Sequence, residues 1–334
     1  MGKLYQIQTD LVGNTPVLKL NSLSHLTGCN IYVKCEHLNP GGSIKDRAAK
    51  QIVLDAMADG KLKKGMTIVE GTAGNTGIGL SIAAKSFGFN LLAVMPKGQT
   101  KDKEKMIELF GGKLKLVDPC PFANENHFYH TARNISENDP ENYFWANQFE
   151  NLSNYRAHYL TTGPEIVDTF GENLNYFVSV AGTGGTIGGV SDYLKKHSPH
   201  TKVVLADPHG SGLFSYVKTG EFKSEGSSFS EGIGIMRLVA NFKKAKVDDA
   251  YKIPDQAAYC IAEHVRHHDG VILGSSSAIN VAAAFKAALT AKKGSNILTI
   301  MCDLGERSYS KLYNREFLVQ NGIDLEVKLG EYSY

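Results

Sequence analysis

Long apolar runs are missing from this chain: no stretch approaches the ~18 to 20 consecutive apolar residues of a membrane span. Cysteine is sparse and scattered. The five residues Cys29, Cys35, Cys120, Cys260 and Cys302 form no C-x-x-C pair, and an odd count at irregular spacing argues against both a disulfide framework and a zinc site. Neither sign of charge is in excess, since 36 basic and 34 acidic residues leave a net charge of +2. Non-specific nucleic-acid binding needs a concentrated basic face. The most basic stretch, Lys97 to Lys105, is interrupted by Asp102 and Glu104 and reads as a solvated helix face. The first residues carry no apolar core of a signal peptide, and Gln6 stands where myristoylation prefers Ser or Thr. These absences lead to the expectation of a soluble, cytoplasmic protein without a nucleic-acid, membrane or metal partner.

What is present is ordinary globular material. Apolar residues make up 42% and charged residues 21% of 334, enough for a sizeable core without staples. The length fits two compact α/β units or one large one. Short apolar runs alternate with amphipathic segments. Strands are expected at 31–35, 67–70, 91–95, 176–180, 202–206 and 296–301. Helices are expected at 47–57, 76–86, 103–110, from about 185 to 196, and at 278–289. Such βαβ alternation demands right-handed crossovers and mainly parallel sheets covered by helices. A polar stretch from Asn147 to Tyr155 separates two runs of βα units and marks the expected break, with a site expected in the cleft between two domains. Pro208 to Phe229, rich in Gly and Ser, reads as a long loop, either functional or a plain surface insertion.

Four segments carry chemistry. In Asn39-Pro40-Gly41-Gly42-Ser43-Ile44-Lys45-Asp46-Arg47, Pro and two glycines end a strand and Ser43 is a candidate N-cap. Lys45 then falls in the first helical turn, where the dipole disfavours its charged form and makes it a better amine nucleophile. Glu70-Gly71-Thr72-Ala73-Gly74-Asn75-Thr76-Gly77 joins a strand to a helix. Its small residues let backbone N–H groups approach an anion, and Thr72, Asn75 and Thr76 add donors suited to a carboxylate. Ala181-Gly182-Thr183-Gly184-Gly185-Thr186-Ile187 again follows a strand and opens a helix. Counting from Gly182 puts Ile187 where the dinucleotide fingerprint needs its last glycine, and no G-K-[ST] of a Walker loop is present. A cradle of amides and two threonine hydroxyls suited to a monophosphate remains. Finally, Gly274-Ser275-Ser276-Ser277 precedes an apolar helix. Taken singly, each segment also reads as a helix cap or a tight turn. Together they supply an amine, a phosphate site, a carboxylate site and a hydroxyl, the set that pyridoxal 5′-phosphate (PLP) requires.

In this combination the sequence resembles the cysteine synthase (O-acetylserine sulfhydrylase) and cystathionine β-synthase family of fold-type II PLP enzymes. The resemblance runs in order from Gly13-Asn14-Thr15-Pro16 to Gly305-Glu306-Arg307. It implies a two-domain fold of the tryptophan synthase β type, each domain a mainly parallel sheet flanked by helices. Residues 39–150 would form the smaller domain, and 1–38 with 151–334 the larger. By the motif match, Lys45 is the implied Schiff-base lysine and later the general base. Gly182, Thr183, Gly184, Gly185 and Thr186 are the implied phosphate loop, and Ser276 the implied partner of the pyridine nitrogen. Thr72, Ala73, Gly74, Asn75 and Thr76, with Gln148, would hold the amino-acid substrate, Asn75 also reaching the cofactor's O3′.

The implied reaction makes L-cysteine from O-acetyl-L-serine and sulfide through an aminoacrylate. Condensation with homocysteine, β-elimination of the cysteine desulfhydrase or serine dehydratase type, and a non-catalytic binding role are the alternatives; retention of Lys45 speaks against the last. A homodimer is implied, and a serine acetyltransferase is admitted as a partner. The chain departs from the family at Ala73, where a serine is usual, at Leu152 and Tyr155 in place of prolines, at Ala278 in place of a glycine, and at Ile235-Met236-Arg237 after Glu231-Gly232-Ile233-Gly234. These changes lie around the substrate end.

Overall fold

Two sheets organise the chain, each built from strands that feed helices. The computed structural model describes residues 4–99 and 101–330. Its contacts divide the chain into one unit of Met1–Gly13 and Leu38–Ala157, and a second of Asn14–His37 and His158–Tyr334.

The second unit contains β1 (Val17–Lys19), α1 (Asn21–Thr27) and β2 (Asn30–Cys35) from the early chain. After residue 158 come α7 (Gly163–Phe170), β7 (Leu174–Val180), α8 (Gly185–His197), β8 (Lys202–Pro208), α9 (Leu213–Thr219), β9 (Asp249–Ile253), α10 (Asp255–Asp269), α11 (Ser275–Thr290), β10 (Asn296–Met301) and α12 (Arg315–Gln320). Its sheet has the order β1-β2-β10-β7-β8-β9. All its pairs are parallel except β1 with β2. The inner strands are near-continuous apolar runs because both faces are covered. Helix α11 is buried from Ser275 to Phe285 on every side, as its Ala-rich, all-round apolar sequence requires.

The first unit carries α2 (Lys45–Ala58), β3 (Thr67–Gly71), α3 (Asn75–Phe87), β4 (Asn90–Pro96), α4 (Lys101–Leu109), β5 (Lys113–Val117), α5 (Phe128–Asn138), β6 (Tyr143–Trp145) and α6 (Ser153–Ala157). Its sheet, β5-β4-β3-β6, is wholly parallel. Ile52, Val53, Ile68, Ile78, Leu80, Leu91 and Met95 fill its core. Helices α2 and α3 approach closely because position 79 is glycine: a Cβ there would meet Asp46 Oδ1 at 3.0 Å and Ala49 Cβ at 3.2 Å.

The strands and helices expected from periodicity all form, within a few residues of the bounds read from the sequence. Three details differ. The unit runs past residue 150 to Ala157, because α6 packs on α2 and Arg156 pairs with Asp55 at 2.9 Å. Residues ahead of Asn14 go with this unit, where Lys50 Nζ donates to the Thr9 carbonyl at 2.8 Å. The stretch from Pro208 to Phe229 is no simple loop, since it contains α9, whose Leu213 is fully buried.

Candidate active site

The lysine segment folds back on itself. Gly41 N–H donates to Asp46 Oδ2, and a Cβ at Gly41 would fall 2.5 Å from Asp46 Oδ1. Gly42 takes a positive φ of 73°. The turn therefore needs its glycines, and it delivers Lys45 as the first residue of α2, half-buried. Ser43 was expected to cap this helix. Ile44 holds the cap position instead, and the Ser43 hydroxyl accepts from the Lys45 N–H at 3.3 Å, one residue earlier than a cap.

In the same unit, β3 ends at Gly71 and α3 begins at Asn75, so Thr72, Ala73 and Gly74 form the whole connection. Thr72 Oγ1 accepts from the Gly74 N–H at 3.0 Å, and Gly74 adopts a φ of 140°. A side chain at Gly74 would collide with the stem of the buried Lys103, 2.4 Å away. Gln148 lies just beyond β6, at the same C-terminal edge of the sheet. The structure joins it to the loop: Thr76 Oγ1 donates to Gln148 Oε1 at 2.7 Å, and Gln148 Nε2 donates to the Gly71 carbonyl at 3.2 Å. The carboxyl of Glu70 sits beneath this pair, 1% exposed. Burial pushes it up to about 8, against the lowering influence of Gln148 and the backbone of Asn147 and Gln148. None of these donors reaches hydrogen-bond geometry with either carboxyl oxygen.

In the second unit, β7 leads into Gly182 to Gly185 and then α8. Gly184 caps α8 with φ 80°, and the first intrahelical bond is Gly188 N–H to the Gly184 carbonyl at 2.8 Å. The N–H groups of Thr186 and Ile187 precede that bond, so they are free of helix partners and lie at the positive end of the dipole. This is a phosphate cradle by chemistry. Glycine is required at 182, where a Cβ would stand 2.2 Å from the Gly232 carbonyl, and at 184, where Phe242 closes in at 2.6 Å. Ser276 occupies the first turn of α11 and is 8% exposed. Its neighbour Ser277 is structural, accepting from Cys302 N–H at 2.9 Å and donating to the Asp303 carbonyl at 3.3 Å. The amine, the amide cradle and the buried serine hydroxyl fit PLP, which needs one of each.

Two residues of this region escape a reading of the sequence. His158 is buried, with Nδ1 at 2.9 Å from Thr162 Oγ1 and Nε2 at 3.3 Å from Thr186 Oγ1. It lies in a π-helical stretch, His158–Thr162, a distortion frequent at functional sites. Asn280, fully buried in α11, accepts from Val180 N–H and donates to the Ile300 carbonyl. A lone histidine in a polar helical stretch and a lone asparagine in an apolar helix give no local signal of either role.

The family described as pyridoxal-phosphate dependent enzyme matches residues 8–303. The chain belongs to this family. It is a PLP-dependent enzyme similar to the cysteine synthase of Dictyostelium discoideum, 43% identical over 319 residues that cover 92% of this chain and 84% of that one. Among solved structures it resembles O-acetyl serine sulfhydrylase isoform 3 of Entamoeba histolytica, with a TM-score of 0.86 at 32% identity, covering 98% and 95% of the two chains. The O-acetylserine dependent cystathionine β-synthase of Helicobacter pylori superposes with a TM-score of 0.83 at 30% identity, covering 93% and 99%. The PLP enzyme is thus a cysteine synthase relative with the fold-type II architecture over nearly its full length.

Proposed function

We propose that this PLP enzyme makes L-cysteine by replacing the acetate of O-acetyl-L-serine with sulfide. The observation that carries this reading is the retention of the lysine segment and the glycine loop, with an asparagine loop changed only at Ala73, in a chain 43% identical to a cysteine synthase. Lys45 would hold the cofactor through its Nζ. Gly182 to Thr186 would bind the phosphate, Asn75 the ring oxygen, and Ser276 the ring nitrogen.

Bound PLP supplies an electron sink at the substrate Cα, which lets a proton and then acetate depart. The protein's own groups do the rest. Lys45 Nζ, when not engaged in holding the cofactor, would take the substrate Cα proton as general base. Thr72, Asn75 and Thr76, with the amide of Ala73, orient the substrate carboxylate so that this proton faces Lys45, while Gly74 shapes the loop by giving its own N–H to Thr72 Oγ1. Gln148 supports that grip from the side. A neutral hydroxyl at Ser276 leaves the ring nitrogen largely unprotonated and moderates the sink, which favours β-elimination.

A second reading uses homocysteine as the nucleophile, and the similarity to an O-acetylserine dependent cystathionine β-synthase favours it. We also read the protein as a cytoplasmic homodimer, with a serine acetyltransferase admitted as a partner. No helix among the described residues is long and apolar enough to cross a membrane. The test is direct. Purified protein given PLP should gain a visible absorbance that vanishes in Lys45→Ala, and a colourless wild type refutes the assignment. Separate assays with sulfide, homocysteine and water as acceptors then choose the reaction; cysteine formation only with sulfide is the expected outcome.

A further inference from the structure

Glu70 is absent from the roles given so far, and its surroundings are unusual. It is the penultimate residue of β3, just ahead of the asparagine loop, is 1% exposed, and keeps both carboxyl oxygens without a hydrogen-bond partner. A buried polar group left in that state costs free energy and calls for a physical reason. The turn beside it is held in a backbone conformation L residues rarely adopt, with Asn147 at φ 48°. That turn presents Gln148 to Thr76 and Gly71.

Proton bookkeeping shows what is missing. The Thr76 hydroxyl has one hydrogen, and here it is spent on Gln148 Oε1. It cannot at the same time serve a substrate carboxylate. Turning the Gln148 carboxamide over would bring Nε2 to Thr76 Oγ1, which would then accept and release its own hydrogen outward. The cost is that Oε1 would face the Gly71 carbonyl, acceptor against acceptor. A donor at that corner removes the cost, and the carboxyl of Glu70 stands there uncommitted.

We infer that Glu70 is a positioning residue for the amino-acid substrate, donating its carboxyl hydrogen to the turned-over Gln148 so that Thr76 is free to bind the substrate carboxylate. Burial supports this, because it holds the acid protonated through neutral pH. An ionised Glu70 would be an acceptor only and would keep Nε2 turned inward. The inference rests on the proposed function, in that it assigns Thr76 and Gln148 to the carboxylate of the substrate.

Steady-state kinetics of the PLP-loaded enzyme with O-acetyl-L-serine test it. Glu70→Met fills the same space without a donor and should raise KM about tenfold, the scale of one hydrogen bond to a charged group. Its cofactor absorbance and kcat should stay close to wild type. Glu70→Gln, whose amide N–H₂ replaces the acid hydrogen, should restore KM. In a Thr76→Val background, Glu70→Met should add nothing. An unchanged KM in folded Glu70→Met overturns the inference. If that variant does not fold, Glu70→Gln still decides, because a tenfold higher KM in it would be equally fatal. A wild type without Lys45-dependent absorbance removes the functional reading and this inference together, whereas an active wild type with an indifferent Glu70→Met removes this inference alone.

Discussion

Asn280 Oδ1 accepts a hydrogen bond from the backbone N–H of Val180 at 2.7 Å. Through its other end, Nδ2 to the Ile300 carbonyl at 2.9 Å, the same side chain ties α11 to β10. One carboxamide thus sets the end of the strand that feeds the glycine loop and the helix that carries Ser276.

Replacing Asn280 by Leu should therefore do two things. It leaves a buried N–H and a buried carbonyl unpaired, at a cost of about 1 to 3 kcal/mol each. It also loosens the glycine loop against Ser276, so PLP should be held less tightly. Thermal unfolding should show the first effect and a PLP titration by absorbance the second. A variant with wild-type melting and wild-type cofactor affinity would remove Asn280 from this role.

The fold was legible because short apolar runs alternate with helical patterns in buried βα units, and each expected strand in the list from 31–35 to 296–301 forms. Loops with a required backbone shape were legible too: Gly74, Gly182 and Gly184 are glycines because a Cβ has no room. Short or half-exposed elements were not. β5 alternates weakly and is largely exposed, and β6 has only three residues. At the site, the residues proposed to touch the cofactor or substrate come in motifs, whereas the roles proposed for His158, Asn280 and Glu70 run through neighbours distant in sequence. Their partners are 28, 100 and 78 residues away in the chain in the cases of Thr186, Val180 and Gln148. No window of sequence contains such a pair.

His158 presents its Nε2 to Thr186 Oγ1. His158→Phe keeps the bulk and removes that partner, so the Thr186 hydroxyl loses its orientation toward a phosphate. PLP affinity should drop about tenfold, the worth of one hydrogen bond to a charged group. Equilibrium dialysis of the cofactor checks this. Binding of pyridoxal, which lacks the phosphate, should be insensitive to the substitution.

The ion pair of buried Lys34 with the partly exposed Glu165, 2.6 Å apart, holds β2 to α7, and Asn14 N–H also donates to Glu165 Oε1 at 2.9 Å. Lys34 is 1% exposed. Neutralising Glu165 leaves the Lys34 charge buried and uncompensated, which costs about 3 to 5 kcal/mol. Glu165→Gln should lower the denaturation midpoint sharply, and Lys34→Met less, because Glu165 keeps contact with solvent. The double variant should recover much of the loss, and simple additivity of the two in urea unfolding would contradict the pairing.

Glu70 sets a pH dependence with a definite sign. Its folded-state value is raised from 4.5 to about 8 by burial. An acid raised in this way contributes its full stability below its unfolded value of 4.5, and that contribution is lost as pH rises through about 8. Ionising it in place costs on the order of 5 kcal/mol at the alkaline end, since each unit of displacement is worth ~1.4 kcal/mol. Glu70→Gln cannot ionise. The two proteins should therefore differ by a constant amount below pH 4.5, the variant should gain on the wild type between there and about 8, and the gap should level off above that. Melting temperatures in buffers across this range test the claim. Parallel curves for the two proteins would mean that Glu70 does not change its protonation on folding as described.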